Sequence, residues 1–257
     1  MKPIKIFIIF ACIAVAAIAW SFTRADNNNK GFAVIELFTS EGCSSCPPAD
    51  ALIARIQKED ADKPVYILAY HVDYWNRMGW KDAFSDAAYS DRQRQYARWL
   101  KLGSLYTPQI VANGAKEFVG SEEATLRNAI KGGLQKPAKA VIVLSNLRES
   151  KGKANVQYHV EGAANNSSLL VALIEKNATT KVLKGENGGR TLSHVQIVRK
   201  LQSVPLNNHS SGDVNLELPA GFTPDGFEVI GFVQNNSNGE ITAASRSEFP
   251  GANIKAK

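Results

Sequence analysis

Cysteine is scarce in this chain, with three in 257 residues, and one of them, Cys12, sits inside an apolar N-terminal run. Methionine occurs only twice, and the four histidines, His71, His159, His194 and His209, stand far apart. These shortages exclude a disulfide-stapled scaffold, and they exclude a structural zinc site, which needs three or four ligands. Basic residues are scattered rather than clustered, with no interleaved aromatics, so no nucleic-acid partner is expected. A phosphate-binding loop is missing too. The glycine-rich stretch "GENGGRTLSH" at 185–194 lacks the Lys-Ser/Thr ending and does not fit the dinucleotide pattern. The loop could reach toward a site elsewhere in the chain, with Arg190 or His194 near a substrate, but a conformationally demanding turn between strands explains the glycines equally well, and it is assigned no chemistry. No internal repeat and no extended low-complexity segment interrupts the chain.

What is present begins with "MKPIKIFIIFACIAVAAIAW", in which Lys2 and Lys5 precede an unbroken apolar run. This is the pattern of an export signal, taken here as residues 1–25 with cleavage after Ala25, and Ala19 as a second candidate. The run is short for a bilayer-spanning helix, so removal is expected over retention as an anchor. The mature protein is then periplasmic or secreted, with no stable membrane insertion. Its formal charge falls from +6 to +3 as Lys2, Lys5 and Arg24 leave, which is weak evidence for any polyanionic partner.

Cys43 and Cys46 remain, in a compartment where thiols oxidise. The loop they close is too small for the bridge to stabilise a fold by constraining the unfolded chain. A redox pair, or half of a soft-metal site, is left. The stretch "VIELFTSEGCSSCPPAD" puts them between an apolar strand and a helix that opens on Pro47 and Pro48, whose missing amide donors cost nothing in a first turn. A thiol at such a position is favoured as thiolate by the unpaired helix amides. Cys46, one turn on, is expected to be the less exposed of the two and placed to resolve a mixed disulfide formed at Cys43.

Around this pair the pattern reads strand "GFAVIELF", helix from Pro47, strand "PVYILAYHV", helix capped at Ser85 and stopped at Gly103, a hairpin turning at Asn113-Gly114, and a helix from Ser121 to Gly132-Gly133. The order is β-α-β-α-β-β-α. After "QKPAK" the texture changes to seven short strands without helices, which predicts an antiparallel, all-β, sandwich-like domain. The boundary is placed near Pro137, giving domains of residues 31–136 and 138–257.

The element order, with C-x-x-C between the first strand and helix, resembles the thioredoxin-like superfamily over about 100 residues. The motifs "ELFTSEGCSSCPPAD", "HVDYW", "GWKD", "YTPQIVANG" and "GENGGRTLSH" are similar, in combination, to a family of exported bacterial thioredoxin-like proteins with a domain of unknown function. That resemblance implies a fold and a compartment but no substrate. It also implies that Pro108 follows a cis peptide bond opposite the cysteines, leaving the Thr107 backbone free to pair with a substrate strand. The chain departs from thioredoxin in its Ser44-Ser45 dipeptide and in the 65 residues from Cys43 to Pro108, which include the segment "DYWNRMGWKDAF".

The expected function is an exported thiol-disulfide oxidoreductase that needs no bound cofactor and acts on a protein or small-molecule thiol or disulfide. Cys43, Cys46 and Pro108 carry the chemistry, with Glu36 as a buried acid that accepts the Cys46 proton. His71, Asp73, Trp75 and Thr107 form the substrate-facing side, because open α/β sheets put their sites at the carboxyl ends of the strands. Two alternatives stand beside this. Cys43, Cys46 and His71 could hold Cu(I), or the fold could serve as a non-catalytic interaction module.

Overall fold

The computed structural model describes residues 30–207 and 210–251. The expected signal segment, Cys12 and His209 lie outside these residues. Among the described residues, no helix is long and apolar enough to cross a membrane.

The first half runs β1 (Ala33–Thr39), α1 (Pro47–Glu59), β2 (Val65–His71), α2 (Ala87–Leu100), β3 (Gln109–Ala112), β4 (Lys116–Val119) and α3 (Glu123–Leu134). β1 pairs with β2 in parallel and with β3 antiparallel, and β4 closes the edge beside β3. The hairpin turn falls on Asn113 and Gly114, both at positive φ. The first turn of α2 differs from expectation. Its cap is Asp86, whose Oδ1 accepts from the Ala88 amide at 2.9 Å, and Lys101 in the left-handed region ends it. The glycines expected to stop α3 lie within it. A Cβ on Gly133 would stand 2.6 Å from the Phe32 carbonyl, so this glycine lets α3 press against the chain entering β1.

The second half consists of β5 (Val141–Ser150), β6 (Lys153–Glu161), β7 (Ser167–Lys181), β8 (Thr191–Pro205), β9 (Ser211–Glu217), β10 (Phe227–Asn235) and β11 (Ile241–Glu248). All seven strands stand where the alternating patterns lie, but β7 and β8 are 15 residues each, about twice the length their apolar cores suggested. The extra length changes the architecture. β8 pairs in parallel with β2 at Ala69 and Ile197, and the result is one eight-stranded mixed sheet in the order β11-β10-β7-β8-β2-β1-β3-β4. Only β5, β6 and β9 form a separate sheet. The arrangement is therefore largely β and two-part, but the parts share a sheet instead of meeting across a linker at Pro137.

Strand alternation assigns the layers. Val34, Phe38, Leu68 and Tyr70 point to one face with Leu170, Ala172, Ile230 and Phe232, and this core is covered by Tyr89 and Tyr96 of α2. Ala33, Ile35, Leu37, Val65 and Ile67 point to the other face, against Leu52, Ile53 and Ile56 of α1 and Leu126 and Ile130 of α3. Farther along, Leu169, Val171 and Leu173 of β7 pack with Val156, Val160 and Val214 of the small sheet. The α2 core runs unbroken across both halves.

Glu36 lies in that core, on the α2 face. Arg92 donates to it through Nε at 2.6 Å and Nη2 at 2.9 Å, and the Tyr96 hydroxyl donates to Oε2. Arg92 Nη1 also donates to Gln234 Oε1 of β10 at 3.3 Å, and the guanidinium stacks over Tyr70, Tyr96 and Phe232. Burial opposes the Arg92 charge, but the Glu36 carboxylate outweighs it and raises its pKa. A buried ion pair of this kind is satisfied only because each donor meets an acceptor.

Candidate functional site

Cys43 and Cys46 are joined by a disulfide, with Cα atoms 5.4 Å apart, in the turn between β1 and α1. Cys46 caps α1, its carbonyl accepting from the Ala49 and Asp50 amides, and Pro47 and Pro48 fill the first turn. Both cysteines have 0% exposure, while Ser44 and Ser45 between them are exposed. The expected difference in exposure between the two sulfurs is thus absent in the disulfide form. The turn is packed from several sides, and only its dipeptide reaches solvent.

Four neighbours hold the turn. The Thr107 carbonyl lies 3.8 Å from Cys43 Sγ and accepts from the Ser45 hydroxyl at 3.3 Å. The Thr107-Pro108 peptide is cis, and the Trp75 indole donates to Thr107 Oγ1 at 2.8 Å. The Glu186 carboxylate accepts from the Ser44 amide at 3.0 Å. Asn187, itself 0% exposed, donates through Nδ2 to the Glu41 and Cys43 carbonyls at 2.9 and 3.0 Å, while its Oδ1 accepts from Arg190 at 2.8 Å. Glu186 and Asn187 sit at the tip of the β7–β8 hairpin. The glycine-rich stretch therefore has a concrete job: Gly185 at φ 76° faces Trp80 Cβ, and the tip it permits closes on the cysteine turn.

Beneath the disulfide, on the α1 face of the sheet, lies a buried cluster of ionisable groups. His71 of β2 is wholly buried, and its Nδ1 lies 2.7 Å from Asp82 Oδ2. The same Asp82 oxygen accepts from the Glu41 amide at 2.8 Å. Trp80 donates to Glu41 Oε2 at 2.7 Å. Asp50, one turn after Cys46, accepts from the Thr39 hydroxyl at 3.1 Å. His194 of β8 stands between two carboxylates, with Nε2 3.5 Å from Glu41 Oε1 and Nδ1 3.8 Å from Asp50 Oδ2. Its ring meets that of His71 edge-on at 4.8 Å.

The electrostatics follow from this geometry. Burial raises the Asp50 pKa, overriding the two imidazoles and the Thr39 hydrogen bond that pull it down. Burial also acts to lower His71, but Asp82, by charge and hydrogen bond, prevails and raises it. For Asp82 the burial effect is outweighed in turn by His71 and by the Glu41 and Phe84 amides, and its pKa is lowered.

Several expected site residues take other places. Glu36 is on the opposite face of β1 from Thr39 and Asp50, its oxygens occupied by Arg92 and Tyr96, so it is not disposed to take a proton from Cys46. A one-residue shift along a strand reverses the face, and the sequence position alone did not fix which face α1 covers. His71 has no surface to offer a substrate. Asp73 accepts the Ser90 hydroxyl at 2.5 Å and ties the segment after β2 to α2. Trp75, Thr107 and Pro108 are brought to the cysteines. Among the described residues, no group of three or more His, Cys, Asp or Glu side chains is disposed to hold a metal ion, the Cu(I) trio of Cys43, Cys46 and His71 included, and the two sulfurs are bonded to each other. The residues missed were Glu41, Asp50, Asp82 and Asn187. Asp50 had a signal in its i+4 spacing from Cys46; Asn187, 144 residues from Cys43, had only its place in the glycine-rich loop that could reach toward the cysteine site.

Fold and site define a class: mixed α/β proteins with a disulfide pair at the junction of a buried strand and a helix, embraced by a β-rich second half. The chain belongs to the family described as protein of unknown function DUF1223, which matches residues 34–234. Among solved structures it is similar to a protein from Agrobacterium tumefaciens, with 24% identity, a TM-score of 0.66, and coverage of 88% of this chain and 96% of that one. It is also similar to HBP35 of Porphyromonas gingivalis, with 18% identity, a TM-score of 0.60, and coverage of 89% and 78%. These likenesses show the fold alone. No curated protein matches the chain.

Proposed function

We propose that the protein is an exported thiol-disulfide oxidoreductase, in which residues 31–136 act as a thioredoxin-like exchange unit and residues 138–257 restrict its access. The observation that carries this reading is the Cys43–Cys46 disulfide at the head of α1, with the Thr107 carbonyl 3.8 Å from Cys43 Sγ. The β-α-β-α-β-β-α order and the cis Thr107-Pro108 bond support it. In reduction, a substrate thiolate attacks Cys43 Sγ, the S–S bond breaks, and Cys46 leaves as thiolate and takes up a proton. The second substrate thiol, deprotonated, then attacks the mixed disulfide and releases Cys43. Two electrons pass from a dithiol to the protein, and the substrate leaves as a disulfide. The reverse sequence, starting from the reduced cysteine pair, reduces a substrate disulfide and restores the Cys43–Cys46 bond. Asp50, one turn from Cys46 and held toward its protonated form by burial, takes the acid-base role expected of Glu36.

Thiol trapping of the purified mature chain across a graded glutathione buffer tests this. One reversible two-electron transition is expected. Cys43→Ser abolishes turnover, and Cys46→Ser accumulates mixed disulfides. Equal, unimpaired exchange in both variants would remove the reading.

A further inference from the structure

Three carboxylates and two imidazoles share the space below the cysteine turn, and their hydrogen bonding is incomplete. Glu41 Oε1, His71 Nε2 and both ring nitrogens of His194 are buried without a hydrogen-bond partner. Buried polar groups are ordinarily satisfied, and leaving one unpaired costs about 1–3 kcal/mol, so a purely structural cluster with four such atoms is poorly explained. The atoms are not scattered. His194 spans the gap between Glu41 and Asp50, at 3.5 and 3.8 Å, and Asp50 donates its amide to the Cys46 carbonyl at 3.1 Å. A small movement of the ring brings either carboxylate within hydrogen-bond reach.

We propose that His194, delivered by β8 from the second half of the chain, is a positioning residue for proton transfer at the cysteine pair, moving a proton between Asp50, which serves Cys46, and Glu41. The inference rests on the exchange reading above. When the disulfide is reduced, Asp50 gives its proton to the departing Cys46 thiolate and recovers one through His194 from Glu41. When the pair is oxidised, Asp50 accepts the Cys46 proton and passes it back the same way. No electron moves through the cluster. The second half of the chain is then part of the redox site itself, as well as a restriction on access to it.

The groups that face His194 are Glu41 from the turn after β1, Asp50 from α1, His71 from the end of β2, and Asp82 behind His71. Phe84 lies against its ring at 5.7 Å, and Arg199 of β8 stacks over Phe84 at 5.2 Å. Asp82 and Trp80 are spent on holding His71 and Glu41, which leaves His194 as the ring in this cluster with both nitrogens unengaged. Burial of Asp50 supports the assignment, since it keeps a transferable proton on that carboxyl to a higher pH.

The test is the reduction potential of the cysteine pair from pH 5 to pH 9, measured on the full mature chain by equilibration with dithiothreitol. In His194→Gln, the pH at which the potential changes slope is expected to move by about one unit, a tenfold change in the fraction of Cys46 thiolate. Asp50→Asn should move it similarly, and the double variant should add nothing further. A wild-type profile in a folded His194→Gln protein would overturn the proposal. Should that variant not fold, the ring-proton NMR titration of His194 in the wild-type protein decides. Its midpoint is expected to differ between the oxidised and reduced forms, and an unchanged midpoint overturns the proposal. Absence of any reversible exchange in the wild type would remove the underlying reading as well, whereas normal exchange with unaltered profiles removes this inference only.

Discussion

Replacing Asn187 by alanine should loosen the cysteine turn without touching a sulfur. Its Nδ2 makes two hydrogen bonds, to the Glu41 and Cys43 carbonyls, in a residue with no exposure. Each such bond contributes about 1 kcal/mol net; the Cys43 carbonyl keeps the Cys46 amide at 3.2 Å, but the Glu41 carbonyl loses its donor, and the total comes to about 2–3 kcal/mol. In the resting protein the disulfide is covered, so attack on Cys43 requires the turn or the hairpin tip to open locally. If Asn187 holds that opening closed, its loss raises the open population, and with it the rate of reduction, by roughly 30- to 160-fold. The assay is the rate of disulfide reduction by a small thiol at fixed pH, read by thiol trapping. Urea unfolding of the oxidised protein is run in parallel to separate local opening from global loss of stability. Glu186→Ala is a useful contrast, since its bond to the Ser44 amide is made by an exposed carboxylate and a smaller acceleration is expected. An Asn187→Ala protein that is reduced at the wild-type rate would refute the gating argument.

Two further expectations concern the buried charges. Arg92→Met strands the Glu36 carboxylate in the α2 core and should cost about 3–5 kcal/mol in urea unfolding, with much of it recovered in Arg92→Met/Glu36→Leu; an unchanged midpoint in the single variant would show that the pair does not hold β1, α2 and β10 together. The His71–Asp82 pair predicts a stability maximum between two limbs. Asp82, whose pKa is lowered in the fold, contributes above its ordinary value of 3.8 and loses that contribution as pH falls through the folded value. His71, whose pKa is raised, contributes fully below its ordinary value of 6.5 and loses that contribution as pH rises through the folded value. Unfolding midpoints from pH 3 to pH 9 should show both limbs flattened in Asp82→Asn, and an identical profile in that variant would argue against the pair.

The elements were legible because local physics decides them. Periodicity, Pro47 and Pro48 at a helix start, and Asn113-Gly114 at a hairpin specify β1, α1 and the β3–β4 turn from adjacent residues. The cysteine pair was legible for the same reason, since spacing and flanking elements are sequence properties. Cap positions were less so: Asp86 and Lys101 bound α2 in place of Ser85 and Gly103, by competition between neighbouring residues of similar fitness.

What the tertiary structure alone decided was who faces whom. Glu36 and Thr39 lie on opposite faces of one strand, and only the packing of α1 and α2 shows which face carries Asp50 and the buried cluster near the cysteine turn. The length of β7 and β8, and their junction with β2, carries Asn187 and His194 to residues about 150 positions earlier. Sequence determines strand, helix and turn through contacts a few residues apart. A site assembled from β1, α1, β2 and the tip of a long hairpin is set by burial and register, which no short window of residues contains.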